Sequence, residues 1–337
     1  MTAFASKFFA HPSSAAANAS AASTLTKVQV TGALMTTGGN PMNFYRDDGV
    51  GVVWGADVAN RFVGSDEREF LVGTGGDDTI EGGGGNDTIE GNTDNDLLYG
   101  GLGNDNIKGH EGKDVLYGNQ GDDYVDGGRG IDTLFGGQGN DYVTVMDGPA
   151  VLYGNMGNDT LSGGEDNETL FGGQGEDNVN GGGGGDLVYG NLGNDIVDGQ
   201  GGSDFIFGGD GDDSVFGGGG SDTLEGGAGN DTMYGYQEAD VFIFRSGSGV
   251  DTLEFSPGSR DAERGGDVLR IERNINGTDI DTLEELLAHA SASTFKINAP
   301  FGVVEFPATY IDLGDGNGIL FEIRFSELNL SGAVEFF

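Results

Sequence analysis

The sequence GGGGNDTIE at residues 82–90 returns with few changes as GGLGNDNIK at 100–108, GGQGNDYVT at 136–144 and GGAGNDTMY at 226–234. Each is a copy of the pattern G-G-x-G-x-D-x-U-x, in which U is apolar. Residues 73–243 hold 19 such copies without an insertion or deletion. A strict short period is typical of a solenoid, because each repeat can bury its apolar residue only against its neighbours. The repeat therefore predicts an all-β fold, a parallel β-roll (β-solenoid).

The nine positions of the repeat divide into a turn and a strand. Glycines permit a tight turn over positions 1–6. Positions 7–9 form a short strand whose position 8 points inward, because side chains alternate along a strand, and position 8 is apolar in all 19 copies. Two repeats complete one coil, so two parallel sheets enclose a thin core. With coils about 4.8 Å apart, about nine and a half coils span about 45 Å.

The aspartate at position 6 supplies a hard oxygen ligand. Stacking places it next to the aspartate two repeats on, and two carboxylates about 5 Å apart need a cation between them. Turn carbonyls can complete an all-oxygen shell, which suits Ca²⁺ more than Mg²⁺, while the absence of Cys and the scarcity of His disfavour Zn²⁺. The predicted metal ligands are Asp78, Asp87, Asp96, Asp105, Asp114, Asp123, Asp132, Asp141, Asp159, Asp177, Asp186, Asp195, Asp204, Asp213, Asp222, Asp231 and Asp240, with the turn glycines Gly100, Gly103, Gly136, Gly139, Gly172, Gly175, Gly208 and Gly211.

The repeat resembles that of the RTX family of calcium-dependent β-rolls. The stretches VDTLEFSPG (250–258) and YIDLGDGNGI (310–319) and the end AVEFF (333–337) are similar to the tails of RTX proteins exported by type I secretion. The resemblance implies that position-6 side chains and turn carbonyls bind Ca²⁺. It also implies export in the unfolded state and folding outside the cell on meeting calcium. The N-terminus shows no long apolar core of a cleaved signal peptide, which agrees with that route.

The two edges of the predicted roll differ in how well the motif is kept. Even-numbered repeats all keep Gly at positions 1 and 4 and Asp at position 6. The ninth repeat (VMDGPAVLY, 145–153) has Val145 and Ala150 at positions 1 and 6, and the eleventh has Asp166 and Glu168 at positions 4 and 6. An intact array would hold nine sites on the odd edge and eight on the even edge, up to about 17 Ca²⁺. We predict a full even column and an odd column broken around Ala150.

The charge of the chain indicates a need for cations. The formal net charge is −41 over 337 residues, and residues 73–243 hold 34 acidic against three basic side chains, which gives −31 of that total. Seventeen Ca²⁺ would nearly neutralise this segment, whereas nucleic acid is an unfavourable partner for so acidic a surface. No apolar run is long enough to span a bilayer, so no transmembrane segment is predicted.

Position 9 of the odd repeats predicts an apolar stripe on one outer face. It is aromatic in seven successive coils, at Tyr99, Tyr117, Phe135, Tyr153, Phe171, Tyr189 and Phe207. Such a stripe exceeds the scattered apolar exposure of a soluble monomer. Three interpretations stay open: the flanks of the chain cover it, two rolls associate through it or polymerise, or it binds a glycan or another surface.

The sequence divides into an N-terminal arm and cap (1–72), the roll (73–243) and a β-rich C-terminal capping and secretion region (244–337). In the last we predict one short helix, DTLEELLAHAS at 281–291, and a hairpin around residues 314–318. The three histidines are far apart and no H-E-x-x-H occurs, so no enzyme is predicted. The predicted function is a secreted, calcium-binding structural protein of a surface layer, adhesion system or matrix, and the alternative is a monomeric carbohydrate- or surface-binding module that uses the aromatic stripe.

Overall fold

The computed structural model describes residues 43–47, 50–254, 267–272, 288, 290–299, 302–314, 317–321 and 334–336. Within these ranges every regular element is a strand, and the strands form a parallel β-solenoid of about 11 turns. The predicted all-β, parallel β-roll is therefore confirmed. Among the described residues there is no helix with the length and apolar character needed to cross a bilayer.

Strands of the odd repeats form one sheet, here the odd sheet. Its strands are β3 (Arg61–Val63), β5 (Thr79–Gly84), β7 (Leu97–Leu102), β9 (Val115–Gln120), β11 (Thr133–Gln138), β13 (Val151–Met156), β15 (Thr169–Gln174), β18 (Leu187–Leu192), β21 (Phe205–Asp210), β23 (Thr223–Ala228), β25 (Val241–Phe244), β27 (Val268–Ile271) and β31 (Val334–Phe336).

Strands of the even repeats form the opposite sheet, here the even sheet. Its strands are β1 (Asn43–Asp47), β2 (Val50–Trp54), β4 (Glu69–Gly75), β6 (Thr88–Thr93), β8 (Asn106–Gly112), β10 (Tyr124–Gly130), β12 (Tyr142–Thr144), β14 (Thr160–Ser162), β16 (Asn178–Asn180), β17 (Gly183–Gly184), β19 (Ile196–Asp198), β20 (Gly201–Gly202), β22 (Ser214–Gly219), β24 (Thr232–Gln237), β26 (Val250–Glu254), β28 (Ala290–Ala299), β29 (Gly302–Gly314) and β30 (Asn317–Phe321).

The register of the sheets follows the 18-residue coil. Leu134 pairs in parallel with Leu152, and Val125 pairs with Val143, so position 8 stacks on position 8. These side chains are fully buried along the whole roll, from Ile80 to Phe242. Burial of one such side chain contributes about 1.5–3 kcal/mol, and the roll repeats that contribution at every turn.

Coils of the same kind continue on both sides of residues 73–243. On the N-terminal side, β2 pairs in parallel with β4, and the buried Val53, Phe62 and Leu71 keep the nine-residue spacing. On the C-terminal side, β26 pairs with β24 and β27 pairs with β25. The core is thus longer at both ends than the uninterrupted repeat.

Most strands within the repeats are longer than the three residues predicted for each repeat, although β12, β14, β16 and β19 of the even sheet have three. In the odd sheet, pairing passes position 9 and continues to position 3 of the next repeat, as when Gln120 pairs with Gln138. Part of each predicted turn therefore has extended conformation. After these longer strands, the turns are confined to about positions 4–6, next to the position-6 aspartates.

Two predictions concern the C-terminal region. The hairpin is confirmed, because β29 and β30 pair antiparallel with Gly314 opposite Asn317. Most of the predicted helix at 281–291 lies outside the described residues, and its last two residues, Ala290 and Ser291, belong to strand β28.

Candidate calcium-binding edges

Each position-6 aspartate is buried at an edge of the roll and is tied to the preceding coil. The backbone N–H of Asp159 donates to Oδ1 of Asp177 at 2.8 Å, and Asp177 donates in the same way to Asp195. Asp177 itself is 2 % exposed. One carboxylate oxygen at each turn is thus used to join neighbouring coils.

The second carboxylate oxygen has no such partner. At nearly every turn Oδ2 is buried and accepts no hydrogen bond. This set comprises Asp78, Asp87, Asp96, Asp105, Asp114, Asp123, Asp141, Asp159, Asp177, Asp186, Asp195, Asp204, Asp213, Asp222, Asp231 and Asp240, together with Asp251 beyond the repeats. A buried, ionised carboxylate without compensation is costly, so these oxygens require a proton or a cation.

Burial raises the pKa of these carboxyls from the usual 3.8. It raises the pKa of Asp105 to about 6. For Asp177, burial and the neighbouring carboxylates Asp159 and Asp195 raise the pKa to about 7. For Asp123, burial and its own neighbouring carboxylates, Asp141 and Asp105 among them, raise the pKa to about 8. Without a cation, folded carboxyls with a pKa of about 7 or 8 are therefore partly or largely protonated at neutral pH, whereas those with a pKa of about 6 are mostly ionised.

Glycine at position 1 leaves a space into which the free oxygen points. A Cβ atom added to Gly172 would lie 2.6 Å from Oδ2 of Asp177 and 2.6 Å from the carbonyl oxygen of Gly190 in the next coil. Two oxygens, one from a side chain and one from the backbone, thus converge beside the Cα of Gly172. Any other residue at position 1 would fill that space.

Glycine at position 4 meets a different requirement. Gly175 has φ +133, and a Cβ atom there would collide with the carbonyl oxygen of Gly157. Only glycine combines this conformation with so close an approach of the preceding coil. Glycine at position 1 thus allows a backbone carbonyl to lie near a free carboxylate oxygen, and glycine at position 4 allows neighbouring turns to stack closely.

The donor set suits calcium. Among the described residues, no three carboxylate or imidazole side chains gather as a metal centre built from side chains alone. The available ligands are single carboxylate oxygens and backbone carbonyls, which are hard oxygen donors of the kind that Ca²⁺ accepts in sets of about six to eight. With Ca²⁺ bound, the residues that would hold it are the position-6 carboxylates and the turn glycines, and the ion would supply the positive charge that the buried oxygens need.

The even edge is continuous. The N–H to Oδ1 hydrogen bonds run without a gap from Glu69 through the nine even aspartates to Asp251. Every member of this column is buried. The even edge therefore offers a complete row of sites between neighbouring turns.

The odd edge is interrupted at the ninth repeat. One run of hydrogen bonds links Asn60 to Asp132, and a second links Glu168 to Asp267. Between them, Val145 and Ala150 are buried and belong to the apolar core. A methyl group of Val145 lies 3.1 Å from the Cβ position of Gly127, in the space that oxygens surround elsewhere. The gap lies where the odd calcium column is predicted to break, and the number of ions stays a prediction.

Glu168 fits the odd edge only by folding back on its own turn. Its Oε2 accepts the backbone N–H of Gly164 at 3.0 Å, and its Oε1 is buried without a partner. Burial raises the pKa of Glu168 to about 7. The longer side chain thus keeps an unpartnered buried oxygen at this turn.

Strict matching to the nonapeptide missed residues that extend both columns. Asn60 and Glu69 occupy position 6 of two degenerate repeats, and the nine-residue spacing of Phe62 and Leu71 was the signal that could have found them. Asp251 and Asp267 continue the columns after Asp231 and Asp240, at separations of 20 and 27 residues. Because extra residues lie between these coils, a search with a fixed nine-residue period does not find Asp251 or Asp267.

The predicted aromatic stripe forms a stacked ladder on the odd sheet. Neighbouring rings from Tyr99 to Phe207 have centroids 4.6–5.0 Å apart and planes within 11° of parallel. Stacking covers the ring faces, so the seven side chains are half-buried rather than fully exposed. The parts turned to solvent are the ring edges.

Comparison with known families identifies the repeat. The model of the RTX calcium-binding nonapeptide repeat (4 copies) matches residues 63–98, 90–125, 99–134, 117–149, 153–188, 180–215, 189–224 and 216–253. Together these stretches cover more than half of the chain. A comparison with curated proteins finds no significant match.

Proposed function

The chain belongs to the RTX calcium-binding nonapeptide repeat family, and we propose that it is a secreted structural protein whose β-roll folds on binding Ca²⁺. The observation that carries this proposal is the column of buried carboxylate oxygens without a partner, such as Oδ2 of Asp159 and Asp177. Ionised side chains of this kind destabilise the folded coil until a cation compensates them. Calcium outside the cell would then drive folding after export by type I secretion.

We further propose that the folded roll assembles through the aromatic ladder, as part of a surface layer, adhesion system or extracellular matrix. Calcium loading would remove most of the negative charge that keeps two rolls apart. The stacked geometry favours this function over glycan binding, because sugars stack on the faces of aromatic rings and the faces from Tyr99 to Phe207 contact each other. No catalytic role is proposed.

Light scattering with and without calcium tests the assembly. We expect an unfolded monomer without calcium to give way to a folded, larger species on calcium addition. In a variant with Tyr117, Tyr153 and Tyr189 changed to alanine, the calcium content should be kept and the larger species lost. A protein that folds on calcium yet stays monomeric at every concentration would refute the assembly.

Calcium counting tests the two edges separately. The double variant Val145→Gly/Ala150→Asp restores the motif of the ninth repeat, and we expect it to bind one or two more Ca²⁺ than the parent in isothermal titration. The matched control Val145→Gly alone restores the space without the carboxylate, so its calcium content should not rise. An unchanged content in the double variant would contradict the assignment of the gap.

A further inference from the structure

The outer face of the odd sheet carries a second, longer period. Coils that contain Tyr and Asn alternate with coils that contain Phe and Gly: VLYGN (115–119), TLFGG (133–137), VLYGN (151–155), TLFGG (169–173), LVYGN (187–191) and FIFGG (205–209). The alternation repeats every two coils, or about 9.6 Å along the roll. Nothing in calcium binding requires it, because the alternating side chains are on the opposite side of the strand from the core.

These side chains form three parallel rows, which we name the contact strip. Strand pairing aligns Val115 with Thr133, Tyr117 with Phe135, and Asn119 with Gly137, and the same register holds in the neighbouring coils. The rows contain the position-7 residues, the aromatic ladder and the Asn or Gly residues. None of them carries a charge between Leu97 and Gly209, in a chain whose net charge is −41.

The contact strip ends in an ion pair on both sides. In the row of the aromatic ladder, Glu81 precedes Tyr99 and Glu225 follows Phe207. Glu81 contacts Arg61 and Glu225 contacts Arg245, each at 2.6 Å. The carboxylates at the two ends of the strip are thus already paired with a positive charge. The strip between them has a fixed length of seven coils.

The chemistry of the contact strip is palindromic about strand β13, which contributes Val151, Tyr153 and Asn155. One coil away on either side the rows read Thr, Phe and Gly. Two coils away they read Val or Leu, Tyr and Asn, and four coils away Thr, Glu and Gly. At three coils the only differences are Leu97 against Phe205 and Tyr99 against Phe207. A surface that reads the same in both directions is what a two-fold symmetric pair requires.

We propose that the contact strip binds a second copy of this chain, antiparallel and face to face, about a two-fold axis parallel to β13. The inference rests on the proposed function and deepens it, because it specifies a closed pair instead of an open polymer. In this arrangement each coil faces the coil at the same distance on the other side of β13. Val115 therefore faces Leu187 of the second copy, and Tyr153 faces Tyr153.

The asparagines fix this register. Asn119 and Asn155 are exposed, and their amides need polar partners once the strip is covered. With the axis at β13, Asn155 meets Asn155, and Asn119 meets Asn191, so the amides can pair. A slip of one coil leaves each Asn opposite Gly, and a parallel pair brings the Asn row over Val and Thr. Single polar residues in apolar seams select registers in the same manner elsewhere.

The contact strip is small for a protein–protein interface. Seven strands about 4.8 Å apart and five residues of about 3.3 Å give about 500 Å² on each copy. The pair would bury about 1,000 Å², the lower limit for a specific interface. So small an area does not offset repulsion between two strongly negative rolls, so association should require calcium.

Cysteine cross-linking tests the geometry, because the chain contains no native cysteine. We choose the position-7 substitutions Val115→Cys, Val151→Cys and Leu187→Cys, in full-length protein with calcium and a short bis-maleimide. Val151→Cys should cross-link to itself. Val115→Cys alone should not, because its two copies are about 19 Å apart along the roll, whereas a mixture of Val115→Cys and Leu187→Cys should cross-link.

Cross-linking tests the two-fold geometry, and light scattering tests assembly itself. If calcium produces a larger species in which Val115→Cys cross-links to itself, or in which the mixture does not react, the two-fold geometry is wrong and assembly stands. If light scattering detects no larger species, assembly itself is refuted, and the geometry with it. Calcium titration of each cysteine variant by circular dichroism confirms that it folds like the parent.

Discussion

At low pH this protein should fold without calcium, because protons neutralise its buried carboxylates. The position-6 carboxylates are buried with one oxygen unpartnered, and burial raises the pKa of Asp105 to about 6, of Asp177 to about 7 and of Asp123 to about 8. In the unfolded chain the same groups titrate near 4. The folded state therefore binds more protons than the unfolded state, and without calcium its stability is fully present below about pH 4 and is lost progressively as pH rises from there through about 6 to 8.

The magnitude of the effect decides whether the roll can fold without calcium at neutral pH. A carboxyl whose pKa rises from 3.8 to about 6 destabilises the folded state by about 3 kcal/mol once both states are ionised. Even at half that value, ten such groups would cost about 15 kcal/mol, the upper end of the stability of a natural domain. Protons or cations on most of the columns are therefore a condition for folding.

Circular dichroism in a chelator, followed from about pH 4.5 to 8.5, measures this dependence. We expect a β-sheet signal near the acidic limit that disappears with a midpoint below about pH 6, because many carboxyls together lower the stability from about pH 4 upward. With excess calcium the signal should persist over the whole range. Calcium added near the acidic limit, where the calcium-free roll is folded and protonated, should release protons from a weakly buffered sample, because it displaces them from the carboxyls.

Two results would refute the reasoning. A chelated sample that is as structured at pH 8 as at the acidic limit would mean that the buried carboxylates do not destabilise the fold. A chelated sample without structure even at the acidic limit would mean that protons do not compensate them. Because the sequence pI is about 4.1, light scattering must accompany the acidic points to separate folding from precipitation.

Two further predictions concern single turns. Gly172→Ala places a methyl group 2.6 Å from two oxygens and should destabilise the calcium-bound fold by about 1–3 kcal/mol in denaturant titration, whereas Gly219→Ala, where the nearest atom is 3.8 Å away, should be neutral or mildly stabilising. Asp159→Asn keeps an oxygen for the hydrogen bond between coils but removes the charge, so it should bind one or two fewer Ca²⁺ in isothermal titration and shift the calcium midpoint of folding upward. The exposed Asp210→Asn should change neither, and equal effects of the two variants within either pair would contradict the assignment.

The fold could be predicted from the sequence because one short period determines several levels of structure together. An apolar residue every nine positions fixes the core, and the glycines fix the turns beside it. The same period predicted the weak point at Val145 and Ala150, since a branched apolar residue cannot leave the space that Gly172 leaves. The structure shows in addition that these two residues pack into the apolar core.

Other features depend on contacts that a fixed period does not describe. Asp251 and Asp267 join the columns only because loops of different length between coils still return the chain to the same edge. The sequence also could not show that the two oxygens of each aspartate differ. Only the hydrogen bond between coils shows which oxygen is bonded and which is free. The half-burial of Tyr153 follows from stacking on Phe135 and Phe171, and a single repeat contains no information about it.

Metal sites and contact strip can change independently because they occupy different positions of the same repeat. Positions 1 and 6 lie at the edge, where a cation between two coils is predicted to bind, whereas positions 7 and 9 lie on the outer face of the strand. The ninth repeat separates the two roles: Val145 and Ala150 remove the odd-edge motif, while Val151 and Tyr153 keep the pattern of the contact strip. At the odd edge of the coil at the centre of the palindrome, Val145 and Ala150 pack into the apolar core. The position of this coil at that edge should depend less on calcium occupancy than that of the coils on either side.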